Sequence, residues 1–291
     1  MGSGEREKVA QPPFSKMRKM TEPKGSEMMN TPQGRFHTQQ AFLLVQGNPD
    51  EKGMALGNVY DALTGAGIND VDLTIKQGWN NPGIGNDIYT TFTSSEINGS
   101  DGFYFATLPL GNYTVFASKD GFVSSTFNII VQEGRTEGQN GVLSPIISGD
   151  SYRIVLTWGE NPNDLDSHVE GQCSDGSYFH VYYQDMSAYD GSIEVCNLDV
   201  DDTTSYGPET ITLNPTTNNA YYYYIFRYAG SGTVASSSAK INVYQGDNLI
   251  RTFNVPTNLG ESDYWNVFAI KNGQLIEENT ITDYADTDYA D

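Results

Sequence analysis

Alternating apolar and polar positions run along most of the chain after residue 40, and this two-residue period predicts β-strands separated by tight turns. The first half has alternating runs at residues 57–61, 71–75, 103–105 and 114–118. A second series follows, with strand-like runs at residues 152–158, 178–183, 194–198, 221–228, 240–244, 249–255 and 264–270. The pattern predicts an all-β chain whose two tandem sandwich domains meet near residues 148–151.

Four segments follow from this pattern. Residues 1–39 lack it and carry Gly, Pro and basic side chains, so we expect a flexible, disordered basic tail. Residues 40–149 form the first predicted sandwich, residues 150–282 form the second, and residues 283–291 form an acidic C-terminal tail. The abundance of Gly (30) and Tyr (19) among 291 residues also favours turns and strands over helices.

The first predicted domain carries four short motifs in a fixed order. They are G-x-V-x-D followed by T-G at residues 57–65, D-G before an aromatic strand at 101–105, L-P-x-G-x-Y at 108–113 and G-F at 121–122. This order resembles the carboxypeptidase regulatory-like domain, a transthyretin-like β-sandwich. The resemblance implies that fold and a scaffold role, because such domains usually carry no chemistry of their own. An insert rich in Asn, Gly and Pro at residues 78–87 departs from the family's pattern.

The second predicted domain carries a different set of motifs. They are L-T-W-G at residues 156–159, D-L-D-S-H at 164–168, F-H-V-Y-Y at 179–183, L-D-V-D-D-T at 198–203, G-P-E-T-I-T at 207–212 and W-N-V-F at 265–268. These motifs resemble the uncharacterised YfaP-like domains of bacterial surface and secreted proteins. The resemblance implies a jelly-roll or immunoglobulin-like β-sandwich and an extracellular setting, but it transfers no chemistry.

Two acidic stretches in the second domain suggest a metal site. Carboxylates at every second residue share one face of an extended strand or crowd a short loop, and hard oxygen ligands at this density suit Ca²⁺. The candidate ligands are Asp164, Asp166, Asp199, Asp201 and Asp202. The alternative is structural, since these side chains could cap turns, or pair with Arg153 or Arg227 if they are buried.

Two histidines of the second domain form another candidate group. His168 and His180 could bind a transition metal or another ligand together with Asp164 or Asp166. The alternative is that each imidazole only satisfies a hydrogen bond to a carboxylate, which is the more common role in a β-sandwich.

A run of aromatic residues at 221–228 has an unusual density of tyrosine. On a strand, alternate side chains face opposite sides, so one set of tyrosines enters the core. The other set includes Tyr222 and Tyr224, which could form a surface platform that binds the sugar rings of a glycan. The alternative is that they cover a domain interface or a subunit contact.

The two cysteines, Cys173 and Cys196, leave two alternatives open. A disulfide between them is compatible with an exported protein, because the loop that it would close has an ordinary length. Otherwise they are two unpaired structural thiols.

Charge is unevenly distributed and excludes some partners. Residues 1–40 have a net charge of +3, and the remaining chain has a net charge of −24. An acidic body of this kind repels nucleic acids and anionic membranes. No apolar run approaches the roughly 20 residues that a membrane helix needs. We therefore expect no nucleic-acid partner and no membrane insertion.

No catalytic pattern stands out in this chain. The G-x-S-x-G motif is absent, and a carboxylate pair such as Asp166 and Glu209 has no separation that the sequence could fix. The sequence favours a non-enzymatic structural or assembly subunit, or a surface adhesion protein. We expect an extracellular or cell-surface location, although no apolar signal-peptide core is visible near the first residue.

Self-association through the N-terminal segment is the expected route of assembly. Residues 40–45 are apolar enough to form the first strand of the first domain, or to be donated to a neighbouring copy in a fibre. Two alternative functions remain open at this point. One is a Ca²⁺-dependent carbohydrate- or peptide-binding module, and the other is a pair of accessory domains from a larger secreted enzyme.

Overall fold

The computed structural model describes residues 51–81, 83, 88–257 and 261–289. The predictions for the basic tail and for an apolar strand at residues 40–45 lie outside these ranges. No helix in the described ranges is long and apolar enough to cross a membrane. The prediction of an all-β fold is confirmed, because the described residues are organised as strands, turns and one short 3₁₀ turn at Val234–Ser236.

The strands agree closely with the alternating runs of the sequence, because those runs carry one buried and one solvated face. In chain order they are β1 (Lys52–Asp61), β2 (Asp72–Gln77), β3 (Ile88–Phe92), β4 (Phe103–Pro109), β5 (Gly111–Ser118), β6 (Phe122–Val123), β7 (Ser125–Val131), β8 (Gly134–Thr136), β9 (Gly141–Pro145), β10 (Tyr152–Thr157), β11 (Asp164–Gln172), β12 (Tyr178–Val181), β13 (Ser187–Asp190), β14 (Ile193–Val200), β15 (Glu209–Leu213), β16 (Tyr221–Ala229), β17 (Lys240–Gln245), β18 (Asn248–Asn254), β19 (Tyr264–Lys271) and β20 (Gln274–Thr282).

Strands β1 to β9 form two sheets. One sheet has the order β4-β1-β9-β6, with β8 also paired to β1, and the other has the order β3-β2-β5-β7. Strands β8 and β9 run parallel to β1, whereas the other pairs are antiparallel. The inward-facing side chains of both sheets bury one apolar core that includes Val59, Tyr104, Val115, Ile129 and Leu143.

Strands β10 to β20 form a second pair of antiparallel sheets. The six-stranded sheet has the order β13-β14-β15-β10-β17-β18, and the five-stranded sheet has the order β12-β11-β16-β19-β20. Their core includes Trp158, Leu165, Tyr223, Trp265 and Phe268. Burial of large aromatic side chains of this kind contributes roughly 1.5–3 kcal/mol each, which explains why the Tyr-rich run forms a central strand.

Strand β11 is only partly covered at one edge. Its residues Val169–Gln172 pair with β12, but the part before Val169 pairs only with β16 on its other side. Alternation along β11 sends Leu165 and Val169 into the core, while Asp166 and His168 face the opposite way. The uncovered edge therefore lies beside polar side chains.

The two sandwiches meet through a small apolar contact. Ala62 and Val123 from the first domain pack with Val155 and Tyr244 from the second. Beside them, the buried guanidinium of Arg153 donates a hydrogen bond from Nη1 to the carbonyl oxygen of Pro145 at 3.0 Å. The junction is therefore ordered by packing and by hydrogen bonds between the domains.

The two cysteines are unpaired. Cys173 and Cys196 are both buried, and Cys196 belongs to the core of the second domain. The structure thus has the unpaired-thiol arrangement, and it does not contain the disulfide that the sequence left open. Burial raises the pKa of the Cys196 thiol well above its ordinary value, so this side chain behaves as a small apolar group.

Candidate metal centre

Three carboxylates from different elements meet at the uncovered edge of β11. Asp166 lies on β11, Asp201 follows the end of β14, and Glu209 begins β15. One carboxylate oxygen from each of them lies within 4.8 Å of the other two. Asp166 and Glu209 are 3 % and 1 % exposed, whereas Asp201 is exposed to solvent. The group is therefore buried on one side and accessible on the other.

The strand period of β15 places Glu209 inside the sandwich. Ile211 and Leu213 point into the core, and Glu209 shares their face at the beginning of the strand. Its Oε1 accepts a hydrogen bond from the backbone N–H of Ser167, in the part of β11 that β12 does not cover. Glu209 thus connects the two sheets of the domain through its carboxylate.

The loop that leads to Glu209 is held in an unusual backbone conformation. Ser205 and Tyr206 have φ angles of 81° and 71°, in the left-handed region that non-glycine residues seldom adopt. Ser205 donates from Oγ to the carbonyl oxygen of Glu160 at 2.9 Å, and the backbone N–H of Trp158 donates to the carbonyl oxygen of Tyr206 at 3.2 Å. These contacts fix the strained loop, which lies between Asp201 and Glu209.

Several carboxylate oxygens in this region have no hydrogen-bond partner among the described residues. They are Oδ1 of Asp164, Oδ2 of Asp166 and Oε2 of Glu209, and all three atoms are buried. A buried polar atom without a partner costs about 1–3 kcal/mol, and more if it is charged. A proton or a cation bound to these oxygens would remove this cost.

The electrostatics of the group agree with this geometry. Burial, with the negative charges of Asp164 and Asp201, raises the pKa of Asp166 to about 7. Burial also raises the pKa of Glu209 well above its ordinary value, and it raises the pKa of Asp164 and Asp201. No salt bridge between described residues reaches these four carboxylates. The group consequently attracts positive charge.

Three predicted ligands lie outside the group of Asp166, Asp201 and Glu209. Asp164 acts on Asp166 only through its charge, and Asp199 and Asp202 are bonded elsewhere. The carboxylate of Asp199 accepts hydrogen bonds from the Thr212 hydroxyl at 2.5 Å and from Asn197 Nδ2 at 2.8 Å. Asp202 caps its own turn, since its Oδ1 accepts from the backbone N–H of Thr204 at 2.8 Å and from the Thr204 hydroxyl at 2.7 Å. Both side chains therefore have hydrogen-bond partners outside the group.

The predicted alternative partners are also placed elsewhere. Arg227 forms its ion pair with Asp263, at 2.6 Å between Nη2 and Oδ1. The charge of Arg153 acts on Asp199, whose pKa it lowers against the larger effect of burial. Neither arginine neutralises Asp164 or Asp166.

The two histidines contact each other and do not join the carboxylate group. His168 Nδ1 lies 2.8 Å from His180 Nε2, and the His168 ring stacks between Tyr182 and Tyr224 at centroid distances of 5.5 and 4.8 Å. Burial, with the neighbouring His180, lowers the pKa of His168 to about 3. His168 is therefore neutral in the folded chain, and the described geometry does not combine it with Asp164 or Asp166.

The predicted aromatic platform is not a free surface. Tyr222 and Tyr224 do face away from the core, as the alternation predicted, but they are only 3 % and 4 % exposed. The prediction of an exposed platform is wrong because residues 284–289 return across this face and cover Tyr222. Tyr224 lies against His168 and donates its hydroxyl hydrogen to Glu170 Oε1 at 2.8 Å.

Sequence reasoning did not assign Glu209 to the metal site. Its carboxylate lies eight residues beyond Asp201 and enters the group only because β15 crosses to the edge of β11. The one signal in the sequence is a charged residue at the inward position of an apolar alternating strand, since such residues are almost never buried without a partner.

Comparisons with known proteins add little to this geometry. No family model matches the chain. Among solved structures it is similar to a DUF3823 family protein from Parabacteroides merdae, at 14 % identity over 62 % of this chain and 92 % of that one, with a TM-score of 0.24. It is also similar to the full-length major pilin SpaD from Corynebacterium diphtheriae, at 11 % identity over 71 % and 64 %, with a TM-score of 0.28.

A third similar structure is an enzyme, 3-chlorocatechol 1,2-dioxygenase from Rhodococcus opacus. The identity is 13 % over 34 % of this chain and 63 % of that one, with a TM-score of 0.26. The chain spans less than two thirds of the length of the pilin and of the dioxygenase. TM-scores of this size do not indicate a function for this chain.

Proposed function

We propose that this chain is a non-enzymatic, calcium-binding β-sandwich protein of an extracellular or cell-surface assembly. Asp166, Asp201 and Glu209 bind the cation in this proposal, and Asp164 adds negative charge beside them. The observation that carries it is a set of three convergent carboxylates, two of them nearly fully buried with an oxygen that has no hydrogen-bond partner among the described residues.

The spacing of the three carboxylates is compatible with one Ca²⁺ ion. Two oxygens on the same ion can be separated by at most twice the metal–oxygen distance, which is about 4.6–5.2 Å for Ca²⁺ and about 4.0–4.2 Å for Mg²⁺. The oxygens of Asp166, Asp201 and Glu209 lie within 4.8 Å of one another, a separation that this limit for one Ca²⁺ allows. Backbone carbonyl groups or water would complete its six to eight ligands.

The placement of the three residues also suggests a structural role for the cation. Asp166 belongs to one sheet of the second domain and Glu209 to the other, while Asp201 directly follows β14 and precedes the strained loop. A cation shared by all three would connect both sheets at an edge where backbone pairing is incomplete. The cation would therefore stabilise the folded domain by mass action, because the unfolded chain has no preformed site.

The assembly part of the proposal rests on the organisation of the chain. Two β-domains in tandem contact each other through an apolar junction, and the acidic body carries a net charge that the basic segment at residues 1–40 complements. Scaffold proteins of surfaces and fibres use such tandem domains as spacers. Electron microscopy of the purified full chain, with and without residues 1–39, tests this part, and a chain that stays monomeric at high concentration contradicts it.

The cation part is tested by melting the full chain in EDTA and in increasing concentrations of Ca²⁺. We expect the melting temperature to rise with Ca²⁺ concentration, and calorimetric titration to show one site. Glu209→Gln and Asp201→Asn should weaken Ca²⁺ binding at least about tenfold, which corresponds to ~1.4 kcal/mol. Glu209→Gln should not destabilise the chain in EDTA, because the amide resembles the protonated carboxyl group.

Two variants serve as matched controls for charge. Asp199→Asn removes the same charge close to the site, but from a carboxylate that is already bonded to Thr212 and Asn197. Asp247→Asn removes it from the β17–β18 hairpin. Both should bind Ca²⁺ as the unmodified chain does. A melting temperature that Ca²⁺ leaves unchanged, or an equal loss of binding in Asp199→Asn, would exclude this site.

A further inference from the structure

Residues 284–289 lie across the outer face of the five-stranded sheet and cover a groove there. We call it the Tyr222 groove, and its lining side chains are Glu170, Tyr178, Tyr222, Asn266 and Lys271. It lies on the side of the sheet that faces away from the core and from the first domain's junction. The groove does not include any residue of the proposed cation site.

Three consecutive side chains of the covering segment each bind a different part of the groove. Thr287 donates from Oγ1 to Glu170 Oε2 at 2.8 Å. The carboxylate of Asp288 accepts a hydrogen bond from the Tyr222 hydroxyl and lies 3.7 Å from Lys271 Nζ. The groove therefore offers an acceptor to the threonine, and a hydrogen-bond donor and a positive charge to the aspartate.

Tyr289 completes the contact. Its hydroxyl donates to the carbonyl oxygen of Ala220 at 2.9 Å. Its ring lies 4.8 Å from the Tyr178 ring and 5.6 Å from the Tyr222 ring, the latter with an edge-to-face geometry. Aromatic pairs in an edge-to-face geometry attract each other beyond the burial of their surface. Every side chain of the unit Thr-Asp-Tyr is thus recognised by its own chemistry.

The sequence contains this unit twice. Residues 282–286 and 287–291 are both Thr-Asp-Tyr-Ala-Asp. The two copies have different surroundings: Tyr284 is 63 % exposed, and Asp283 accepts a hydrogen bond from Ser262, whereas Tyr289 is packed in the groove. The first copy therefore presents the Asp-Tyr part of the unit to solvent, whereas its Thr282 ends β20 and accepts a hydrogen bond from Asn266 Nδ2 at 2.7 Å.

We propose that the Tyr222 groove is a docking site for the Thr-Asp-Tyr unit, which residues 287–289 occupy within the chain and which the same unit from a second copy occupies after they are displaced. Lys271 supports an acidic occupant, because it places a positive charge over the Tyr222 ring, 4.6 Å from the centroid, in a chain with far more acidic than basic residues. The intramolecular segment competes at a high effective concentration, so exchange requires crowded copies, as in an assembly.

The test compares two matched double variants of the full chain. Asp288→Ala with Tyr289→Ala vacates the groove, and Asp283→Ala with Tyr284→Ala removes the equivalent side chains from the exposed copy. The probe is a fluorescent peptide with the sequence Thr-Asp-Tyr-Ala-Asp-Thr-Asp-Tyr-Ala-Asp, measured by polarisation. We expect the first variant to bind it saturably and at least about tenfold more tightly than the unmodified chain, while the second resembles the unmodified chain.

Further arms separate docking from a merely structural role. Adding Tyr222→Phe and Lys271→Met to the vacated variant should abolish peptide binding, and a scrambled peptide should not bind. If the vacated variant is destabilised but folded and binds no peptide, or binds the scrambled one equally, the proposal is overturned. If the double variant does not fold, Tyr289→Ala alone, with Tyr284→Ala as its control, gives the same comparison.

Exchange between copies is tested by mixing two full chains. One is the vacated variant that also carries Asp283→Ala with Tyr284→Ala, so that it has an open groove and no intact unit, and the other carries Tyr222→Phe with Lys271→Met, so that it keeps the unit but has an impaired groove. We expect these two to form a complex that neither forms alone. Failure to co-elute at high concentration, with peptide binding intact, would exclude the second copy as the occupant.

Discussion

Asp166 and Glu209 retain their protons to a higher pH in the folded chain than in the unfolded chain. The pKa of Asp166 is raised to about 7, and that of Glu209 is also raised, mainly by burial. In the unfolded chain, Asp and Glu have pKa values of about 3.9 and 4.3. Between about pH 4 and 7 the folded chain therefore binds more protons than the unfolded chain. In EDTA, the free energy of unfolding should therefore fall as the pH rises through this window.

Calcium should reverse this pH dependence, because it competes with protons for the same oxygens. We expect the stabilisation by Ca²⁺ to be small at about pH 5 and largest above about pH 7. Denaturant titrations at several pH values, with EDTA or Ca²⁺, measure both effects. Stability in EDTA that rises steadily across the window would contradict the assignment, and Asp166→Asn should flatten the curve.

At the residue scale, the sequence predicted part of the site and missed the rest. The spacing of Asp166 and Asp201 within acidic stretches was sufficient to propose them as ligands. Glu209 could not be chosen over other carboxylates, since its place depends on how β15 crosses to β11. Tyr222 was placed on the correct face by alternation, but the segment that buries it is not encoded in the local pattern.

Gly57 lies in the middle of β1, where this strand closely approaches the backbone at Gln139. A Cβ at this position would lie 2.0 Å from the carbonyl oxygen of Gln139 and 3.1 Å from the Tyr104 ring. Gly57→Ala should therefore destabilise the first domain by about 3 kcal/mol, because the strand and the Gln139 segment must separate. Denaturant unfolding of the full chain measures the loss.

Gly121→Ala is the matched control for this substitution. Its φ is +86°, but a Cβ there would meet no atom of the described residues within 4 Å. Gly121→Ala should therefore lower the free energy of unfolding by only about 1–2 kcal/mol, which is the cost of the left-handed conformation for alanine. Equal losses for the two variants would show that the backbones near Gly57 are not as close as the structure places them.

At the element scale, two-residue alternation predicted most strands with good boundaries. Residues 221–228 and 264–270 correspond to β16 and β19 within one residue. The pattern was less informative for β11, whose buried run includes Asp164, Asp166 and His168 because other elements cover its outer face. Burial by covering segments depends on tertiary contacts, which a local period cannot contain.

Tyr244 is the largest side chain in the junction between the two sandwiches. It is 1 % exposed and packs with Ala62, Val123 and Val155. Tyr244→Ala should remove this contact and lower the free energy of unfolding by roughly 3–5 kcal/mol. Calorimetry should then resolve two melting transitions that are closer together in the unmodified chain.

Tyr228→Ala is the control for that experiment, because this tyrosine of the second domain is 53 % exposed. It should leave the melting profile nearly unchanged. If Tyr244→Ala melts in the same way as the unmodified chain, the apolar junction does not couple the domains.

At the scale of the whole molecule, the fold class was predictable and the family was not. Alternation and turn residues were sufficient for an all-β chain of two sandwiches, because those patterns are local. The resemblances to carboxypeptidase regulatory-like and YfaP-like domains stay predictions, as does fibre formation through the N-terminal segment. The duplicate Thr-Asp-Tyr-Ala-Asp unit became informative only when one copy was found against Tyr222.

The most direct test of the proposed Ca²⁺ site is anomalous diffraction from crystals of the full chain grown with Ca²⁺. We expect one anomalous peak between Asp166, Asp201 and Glu209, at about 2.3–2.6 Å from an oxygen of each carboxylate. Crystals of Glu209→Gln grown in the same way should lack the peak. Calcium-grown crystals of the unmodified chain with no peak there, or with a peak only at Asp199 or Asp202, would contradict it.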